Sequence, residues 1–284
     1  MAFRCQVQNL ISQDTFLRKS LSSRSPAGSN GRVSSFNGVQ SRDLKLAITL
    51  PKQSARSKQD VKISCAFTDR TFAAEEAHGG EPIDPETTAL VMIEYQNEFA
   101  TEGGKLHDAV KGVMESNNML ERSVAVCDVA RAQGCKILHT PISFNADMSD
   151  NPNKGLGILA GCAADQLFVR GTWNAEICEP MTPKEGDLQV VGKTGLDAFP
   201  GSNLEELLVE NGIKTVALGG FLTNCCVEST MRTAYEKGFN VVTLKDCTAA
   251  TSEGEQEGAT NASYNFFSTP MTSDEFIEAI KGSA

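Results

Sequence analysis

Short apolar runs alternate with longer amphipathic segments from about residue 88 to the end of the chain. The run at 89–93 (Ala-Leu-Val-Met-Ile) is continuously apolar, which is typical of a strand buried on both faces of a parallel sheet. Further strands are predicted at 136–140, 188–191, 215–218, 241–244 and 268–271. Helices are predicted at 119–133, 203–210 (with Ser202 as N-cap), 224–237, 253–265 and 273–281.

The order of these elements defines a fold class. Strands that alternate with helices form a parallel sheet with right-handed crossovers and helices on both faces. The sequence therefore predicts an α/β protein, namely a three-layer α/β/α, Rossmann-like domain with a mostly parallel six-stranded sheet. Ligands of such folds bind beyond the carboxyl ends of the strands, near the point where the strand order reverses. Residues that end strands, Asp246 after the fifth among them, are thus the first candidates for a functional site.

Charge divides the chain into two unlike parts. Residues 1–66 contain 11 Lys and Arg, three Asp, no Glu and 12 Ser, whereas residues 67–284 contain 15 basic and 33 acidic residues. A Ser-rich, basic and nearly acid-free N-terminal segment is typical of an organelle transit peptide. We predict a disordered transit peptide at 1–66 that directs the protein to the plastid (chloroplast), a linker at 67–87 and one domain at 88–284. A mitochondrial destination and a retained basic arm are the alternatives.

Composition also limits the partners of the protein. The acidic balance after residue 66 argues against nucleic-acid binding, which needs a positive face. The N-terminal segment has no apolar run of the length that a membrane span requires, so no membrane association is expected. Nine Cys without regular spacing or a secretory signal indicate thiols that stay reduced.

Three strand ends carry groups that make chemical sense together. Glu94 follows the first strand, Lys193 follows the third, and Cys226 lies shortly after the fourth. In the first turn of a helix, free N–H groups and the helix dipole favour an anion, so the thiol of Cys226 is expected to have a lowered pKa. An ammonium lowers this pKa further, and a carboxylate can accept the proton. Taken singly, each residue is more simply a buried apolar Cys or a solvated charge, and only their joint position favours a site.

Three motifs at these places resemble those of the isochorismatase-like cysteine hydrolases, which include nicotinamidases and N-carbamoylsarcosine amidases. They lie at 93–99 (Ile-Glu-Tyr-Gln-Asn-Glu-Phe), 193–199 (Lys-Thr-Gly-Leu-Asp-Ala-Phe) and 220–227 (Gly-Phe-Leu-Thr-Asn-Cys-Cys-Val). A fourth stretch, at 170–173 (Arg-Gly-Thr-Trp), resembles the segment before the third strand of the family. The resemblance covers nearly all of the acidic part of the chain.

The resemblance implies roles for particular residues. Glu94 takes the place of the general base and acid, Lys193 that of the cation that stabilises a thiolate, and Cys226 that of the nucleophile. It also implies a cis peptide bond between Phe221 and Leu222. The N–H groups of Leu222 and Cys226 would then form an oxyanion hole.

The sequence departs from the family pattern at one catalytic position and is ambiguous at another. Glu94 stands where the family usually has Asp, and the extra methylene moves the carboxylate by roughly 1.5 Å. Cys225 precedes Cys226, and adjacent helical residues point about 100° apart, so only one of the two can face a substrate. Cys226 is preferred because Val follows it as in the family motif, and Cys225 is assigned to packing.

Pocket, cofactor and metal sites are less clearly marked. Phe99, Trp173 and Phe199 are predicted to line the substrate pocket. His139 lies in the region where nicotinamidases carry a metal cluster. It has no second His nearby, so it is expected to be a hydrogen-bonded core or rim residue. No metal and no cofactor are therefore predicted.

The predicted function is that of a hydrolase with a Cys-Lys-Glu triad, which cleaves a small amide or carbamoyl substrate through a thioester intermediate. Family members commonly form dimers or tetramers, so a homo-oligomer is expected. One alternative is hydrolysis of the vinyl ether of isochorismate, which pyruvate release would reveal. Another is a catalytically retired fold that serves as a binding or assembly module.

Overall fold

The structure, a computed structural model, describes residues 83–282. The predicted transit peptide at 1–66 and most of the predicted linker lie outside the described residues. The last residues of that linker belong to the folded domain. Ile83 is buried in the core, and the Asp84 carboxylate caps a 3-10 turn at Pro85–Thr87. The domain thus begins at least five residues before the predicted boundary at 88.

Six strands form a single sheet in the order β3-β2-β1-β4-β5-β6, and every neighbouring pair is parallel. The strands are β1 (Thr88–Ile93), β2 (Lys136–Thr140), β3 (Leu188–Gln189), β4 (Thr215–Phe221), β5 (Asn240–Ala249) and β6 (Thr269–Met271). This arrangement confirms the predicted Rossmann-like sheet, which is entirely rather than mostly parallel. The strand order reverses between β1 and β4, so the expected ligand position lies at the carboxyl ends of these two strands.

Helices cover both faces of the sheet. They are α1 (Asn97–Ala100), α2 (His107–Ser116), α3 (Met119–Ala132), α4 (Gly157–Ala164), α5 (Leu204–Glu210), α6 (Glu228–Glu236), α7 (Glu253–Gly258), α8 (Tyr264–Phe267) and α9 (Ser273–Lys281). Side chains of β1 alternate between two apolar clusters. Leu90 packs with residues of α2, α3 and α9, whereas Val91 packs with residues of α5, α6 and α8. No helix within residues 83–282 has the length and apolar character needed to cross a bilayer.

Several element boundaries differ from the predicted ones. Strand β5 continues to Ala249, so Asp246 lies inside the strand instead of at its end. A carboxylate is tolerated there because it accepts hydrogen bonds from Arg122 and from the backbone and hydroxyl of Ser273. Three helices, α1, α2 and α4, were not predicted. The N-cap position of α5 is Asn203 rather than Ser202.

The helices predicted at 224–237 and 253–265 are also more irregular than expected. The first begins as a π-helical turn at Thr223–Val227 before α6, and a second π-helical turn at Ala259–Ser263 separates α7 from α8. Such turns occur frequently at functional sites. The first of them follows β4 at the switch point of the sheet.

A glycine permits the close approach of β1 and β4 at this point. Gly220 has a φ of +135°, and a Cβ atom built on it would lie 1.9 Å from the carbonyl oxygen of Ile93. A residue with a side chain is therefore excluded at position 220, next to the last residue of β4. The backbone that leads to Cys226 can thus run directly beside the backbone that leads to Glu94.

Candidate active site

Glu94, Lys193 and Cys226 meet at the carboxyl edge of the sheet. Glu94 follows β1 with a φ of +57°, and its N–H donates to the carbonyl of Thr140 at 3.1 Å. Lys193 follows β3 and reaches across the end of β2, where its Nζ donates to Oε1 of Glu94 and, at 2.6 Å, to the carbonyl oxygen of Gly195. Cys226, after β4, lies close enough to Glu94 for the charge and hydrogen-bonding capacity of this carboxylate to raise the pKa of its thiol.

The three side chains are removed from solvent. Glu94, Lys193 and Cys226 expose 2%, 1% and 3% of their surface. Charges in a medium of low polarity interact more strongly than they do in water, and a buried charge is tolerated only when it is paired. The ion pair of Glu94 and Lys193 meets this requirement, and it leaves the thiol beside a charged carboxylate.

The pKa of the Cys226 thiol is raised well above its ordinary value. Burial is the largest cause, the negative charge of Glu94 adds to it, and only the Lys193 ammonium acts in the opposite direction. The expectation of a lowered pKa is therefore wrong, because it counted the helix terminus and the ammonium but not the loss of hydration. The resting site therefore holds a neutral thiol beside the Glu94 carboxylate.

The turn that carries Cys226 has a well-defined backbone geometry. The Phe221–Leu222 peptide bond that enters this turn is cis. Within the turn, the N–H groups of Cys225 and Val227 donate to the carbonyl of Leu222 at 3.1 and 3.2 Å. The π-helical turn therefore has a defined hydrogen-bond pattern directly around the nucleophile candidate.

Two side chains from the following helices brace this turn from outside. The hydroxyl of Thr223 donates to Oε1 of Gln256 at 2.6 Å, and the hydroxyl of Tyr264 donates to the carbonyl of Thr223 at 2.9 Å. Gln256 and Tyr264 belong to α7 and α8, and both are buried. This support could not be predicted, since nothing local in the sequence links these residues to the turn.

The polar residues that follow Glu94 hold the loops over the sheet edge. The side-chain amide of Gln96 donates to the carbonyls of Ile142 and Ala175 at 2.8 and 2.7 Å, and its oxygen accepts from the N–H of Ile142 at 2.9 Å. Glu98 is fully buried and accepts from the N–H of Lys105 at 2.7 Å. The motif at 93–99 thus supplies Glu94 to the candidate site, while Gln96 and Glu98 hold neighbouring loops in position.

The three aromatic residues predicted for the substrate pocket do not come together. Phe99 stacks on Phe221 with ring centroids 5.1 Å apart in one apolar cluster, and Phe199 lies in the cluster on the opposite face of the sheet. Trp173 is 45% exposed and lines an open cavity of about 570 Å³ with Asn97 and Ile177. The described residues that line this cavity do not include Glu94, Lys193 or Cys226.

The remaining candidates are explained by packing and hydrogen bonding. Nε2 of the buried His139 lies 3.0 Å from Asp187, which Arg131 also contacts. Burial lowers the pKa of His139, although Asp187 partly opposes this shift. Within residues 83–282, no group of three or more His, Cys, Asp or Glu is placed to hold a metal ion. Cys225 is half-buried between the two apolar clusters, and burial raises the pKa of its thiol to about 11.

The fold and this site define an α/β enzyme with a buried thiol, carboxylate and ammonium at the switch point of a parallel sheet. Comparison with known proteins specifies the family. An isochorismatase domain profile matches residues 88–275. A ureidoacrylate amidohydrolase RutB of Methylorubrum extorquens is 31% identical over 201 residues, which represent 66% of this chain and 81% of the relative.

Two solved structures share the fold. A cysteine hydrolase from Pseudomonas syringae pv. phaseolicola matches with a TM-score of 0.63 and 22% identity, over 72% of this chain and 97% of that one. N-carbamoylsarcosine amidase from Thermoplasma acidophilum matches with a TM-score of 0.54 and 23% identity, over 66% and 98% of the two chains. The chain therefore belongs to the isochorismatase family, as its motifs predict. It is a hydrolase that acts on non-peptide C–N bonds.

Proposed function

We propose that this protein hydrolyses a small amide or ureido compound, with Cys226 as nucleophile, Glu94 as general base and acid, and Lys193 as the cation that holds the carboxylate. One observation carries this proposal. The Cys226 thiol lies beside the Glu94 carboxylate, which itself accepts a hydrogen bond from the buried Lys193 ammonium. This arrangement supports the proposal, because nucleophilic catalysis requires a nucleophile beside a base that a third group orients.

The raised thiol pKa determines how the first step proceeds. Because the thiol is neutral in the resting site, its proton moves to Glu94 while the sulfur attacks the substrate carbonyl carbon. The oxygen of the tetrahedral intermediate then carries the negative charge. The N–H groups of Leu222 and Cys226, which the family resemblance assigns to an oxyanion hole, would bind this oxygen.

The remaining steps return the site to its starting state. Collapse of the intermediate breaks the C–N bond, and Glu94 gives the proton to the departing nitrogen, which leaves a thioester on Cys226. Glu94 then removes a proton from water, and the resulting attack on the thioester carbonyl releases the acid. The sulfur recovers the proton from Glu94. Lys193 remains charged throughout and keeps the carboxylate in place.

The relatives supply a first substrate to test. Ureidoacrylate is the compound named for the amidohydrolase that is 31% identical, and 81% of that relative is covered by this chain. Amidohydrolase and amidase relatives also favour C–N cleavage over the vinyl ether alternative. Ammonia release from ureidoacrylate and from a panel of small primary amides tests the activity. Mass spectrometry of acid-quenched enzyme tests the intermediate, since an acyl group is expected on the peptide that contains Cys226. Turnover with the adduct on another residue would overturn the assignment.

We also propose that residues 1–66 direct the protein to the plastid. The support is compositional, since this segment has 12 Ser, 11 basic residues and three acidic ones. Fusing residues 1–66 to a fluorescent protein is expected to place the fluorescence in plastids of plant cells. Fluorescence in mitochondria or in the cytosol would contradict the proposal. A dimer or tetramer remains expected from the family resemblance, and light scattering measures it.

A further inference from the structure

Thr230 connects the nucleophile candidate to the loop that follows Lys193. It lies on α6, one turn after Cys226, and none of its surface is exposed. Its hydroxyl donates to the carbonyl oxygen of Cys226 at 2.7 Å and accepts from the N–H of Ala198 at 3.0 Å. A single buried hydroxyl thus satisfies one backbone group of Cys226 and one backbone group of a distant loop.

The loop at the other end of this connection holds the ammonium of Lys193. The carbonyl oxygen of Gly195, three residues before Ala198, accepts from Nζ of Lys193 at 2.6 Å. The same loop is attached to α6 a second time, because the hydroxyl of Thr233 donates to Asp197 at 2.7 Å. The second attachment fixes the loop to the helix, whereas the Thr230 bridge fixes it to Cys226 itself.

We infer that Thr230 is a positioning residue of the proposed reaction, which sets the distance between the Cys226 sulfur and the Lys193–Glu94 pair. The inference rests on the proposed function, because it assigns no chemistry to Thr230 itself. A misplacement of about 1 Å between reacting groups can lower a rate on the order of 10²-fold. The Thr230 hydroxyl restricts such a displacement because it bonds both the Cys226 carbonyl and the Ala198 N–H. If either group moved away, it would lose its hydrogen-bond partner.

Replacement by valine tests the inference with little change in side-chain volume. In T230V the hydroxyl is lost, so kcat for ureidoacrylate is expected to fall about ten- to a hundredfold while KM changes little. T230S retains the hydroxyl and is expected to restore kcat to within about threefold of the wild type. If T230V does not fold, T230A replaces it, because a water molecule can occupy the vacated space and keep the domain intact. T230A is then also expected to lower kcat, but by a smaller factor than T230V.

Ser123 offers a matched control on the other face of the sheet. Its hydroxyl is equally buried, donates to the carbonyl of Met119 at 2.7 Å and contacts the Tyr95 hydroxyl at 2.7 Å. S123A is expected to lower the melting temperature as T230V does, but to leave kcat unchanged. A loss of kcat in S123A equal to that in T230V would overturn the inference, as would wild-type kcat in T230V.

A second readout separates this inference from the proposed function. Iodoacetamide labelling of Cys226, followed by mass spectrometry as a function of pH, needs no substrate. T230V is expected to shift the labelling profile to higher pH, because the ammonium that lowers the thiol pKa moves away. Identical profiles in T230V and the wild type would overturn the role of Thr230. Full activity of C226A would instead overturn the proposed function.

Discussion

The ammonium of Lys193 donates a hydrogen bond to the carboxylate of Glu94, although 99 residues separate them in the chain and neither side chain exposes more than 2% of its surface. Ion pairs of this kind lose hydration on both partners, so they contribute little to stability or even lower it. The position of the Glu94–Lys193 pair at the carboxyl end of the central strands therefore favours a chemical role over a stabilising one. Removing one partner leaves a buried charge without compensation.

E94Q separates the catalytic role of the pair from its structural role. The substitution removes the general base and leaves Lys193 unpaired, so turnover is expected to fall by about 10²–10⁴-fold and the free energy of unfolding by about 3–5 kcal/mol. The double variant E94Q/K193M removes both charges, and it is expected to regain stability but not turnover. Ammonia release and chemical denaturation measure the two effects. Activity in the double variant would show that the pair is structural.

E94D tests whether the site is adapted to the longer acid. Aspartate would withdraw the carboxylate by roughly 1.5 Å from both the ammonium and the thiol. Turnover is expected to fall by about ten- to a hundredfold, with the fold intact. The kcat of E94D, compared with that of the wild type, tests whether the site requires the longer acid. An E94D variant as active as the wild type would mean that the position of this carboxylate is not critical.

The alkylation of Cys226 is expected to depend on pH in a defined direction. Because burial and the Glu94 charge raise its pKa, the resting thiol should react slowly with iodoacetamide at neutral pH and faster as the pH rises toward its raised pKa. E94Q removes the carboxylate charge, so its profile should shift to lower pH. Slow labelling of the resting wild type is therefore compatible with catalysis.

Cys135 provides an internal control in the same labelling experiment. Burial raises the pKa of its thiol to about 12, and Glu94 is not among the groups that act on it. Its profile should be the same in wild type and E94Q. A Cys226 profile that shifts to higher pH in E94Q would contradict the electrostatic account.

Gly220 is expected to tolerate no side chain. In G220A the new Cβ atom would meet the carbonyl oxygen of Ile93 at 1.9 Å, and the backbone has a φ of +135°, which L-residues rarely adopt. G220A should therefore fail to fold or lose several kcal/mol of stability, about 3 kcal/mol or more. G258A is the control, because that helical glycine has open space around it and alanine favours helices. Thermal unfolding compares the two, and equal melting temperatures would contradict the close approach of β1 and β4.

The sequence predicted the sheet well because buried parallel strands are continuously apolar. The run that forms β1 and the helix α3 appear within one or two residues of their predicted bounds. Helix α2 was not predicted, although Val110, Val113 and Met114 have helical spacing and are buried. Gly112 within the helix weakens the pattern, because glycine disfavours a helix interior. The predicted end of β5 at Leu244 is too early, because the polar residues Lys245 and Asp246 follow it. Asp246 is tolerated inside the strand only because Arg122 and Ser273 donate hydrogen bonds to its carboxylate.

The position of the site could be predicted, but its electrostatics could not. Strand ends converge in every parallel sheet, so Glu94, Lys193 and Cys226 could be placed near one another from the sequence. The direction of the Cys226 pKa shift depends on how completely the thiol is buried, which arises from packing of the whole domain. The packing of Phe99 and Phe199 in the apolar clusters could not be predicted, because sequence alone does not distinguish a core ring from a pocket ring.

Ammonia release by C226A, measured beside C225A on ureidoacrylate and the amide panel, tests the central claim most directly. The two thiols are adjacent in the chain, but that of Cys226 is buried beside Glu94 and Lys193, whereas Cys225 is only half-buried. C226A should lose activity by about 10³-fold or more, whereas C225A should stay within a few-fold of the wild type. C226A that turns over at the wild-type rate would contradict the account.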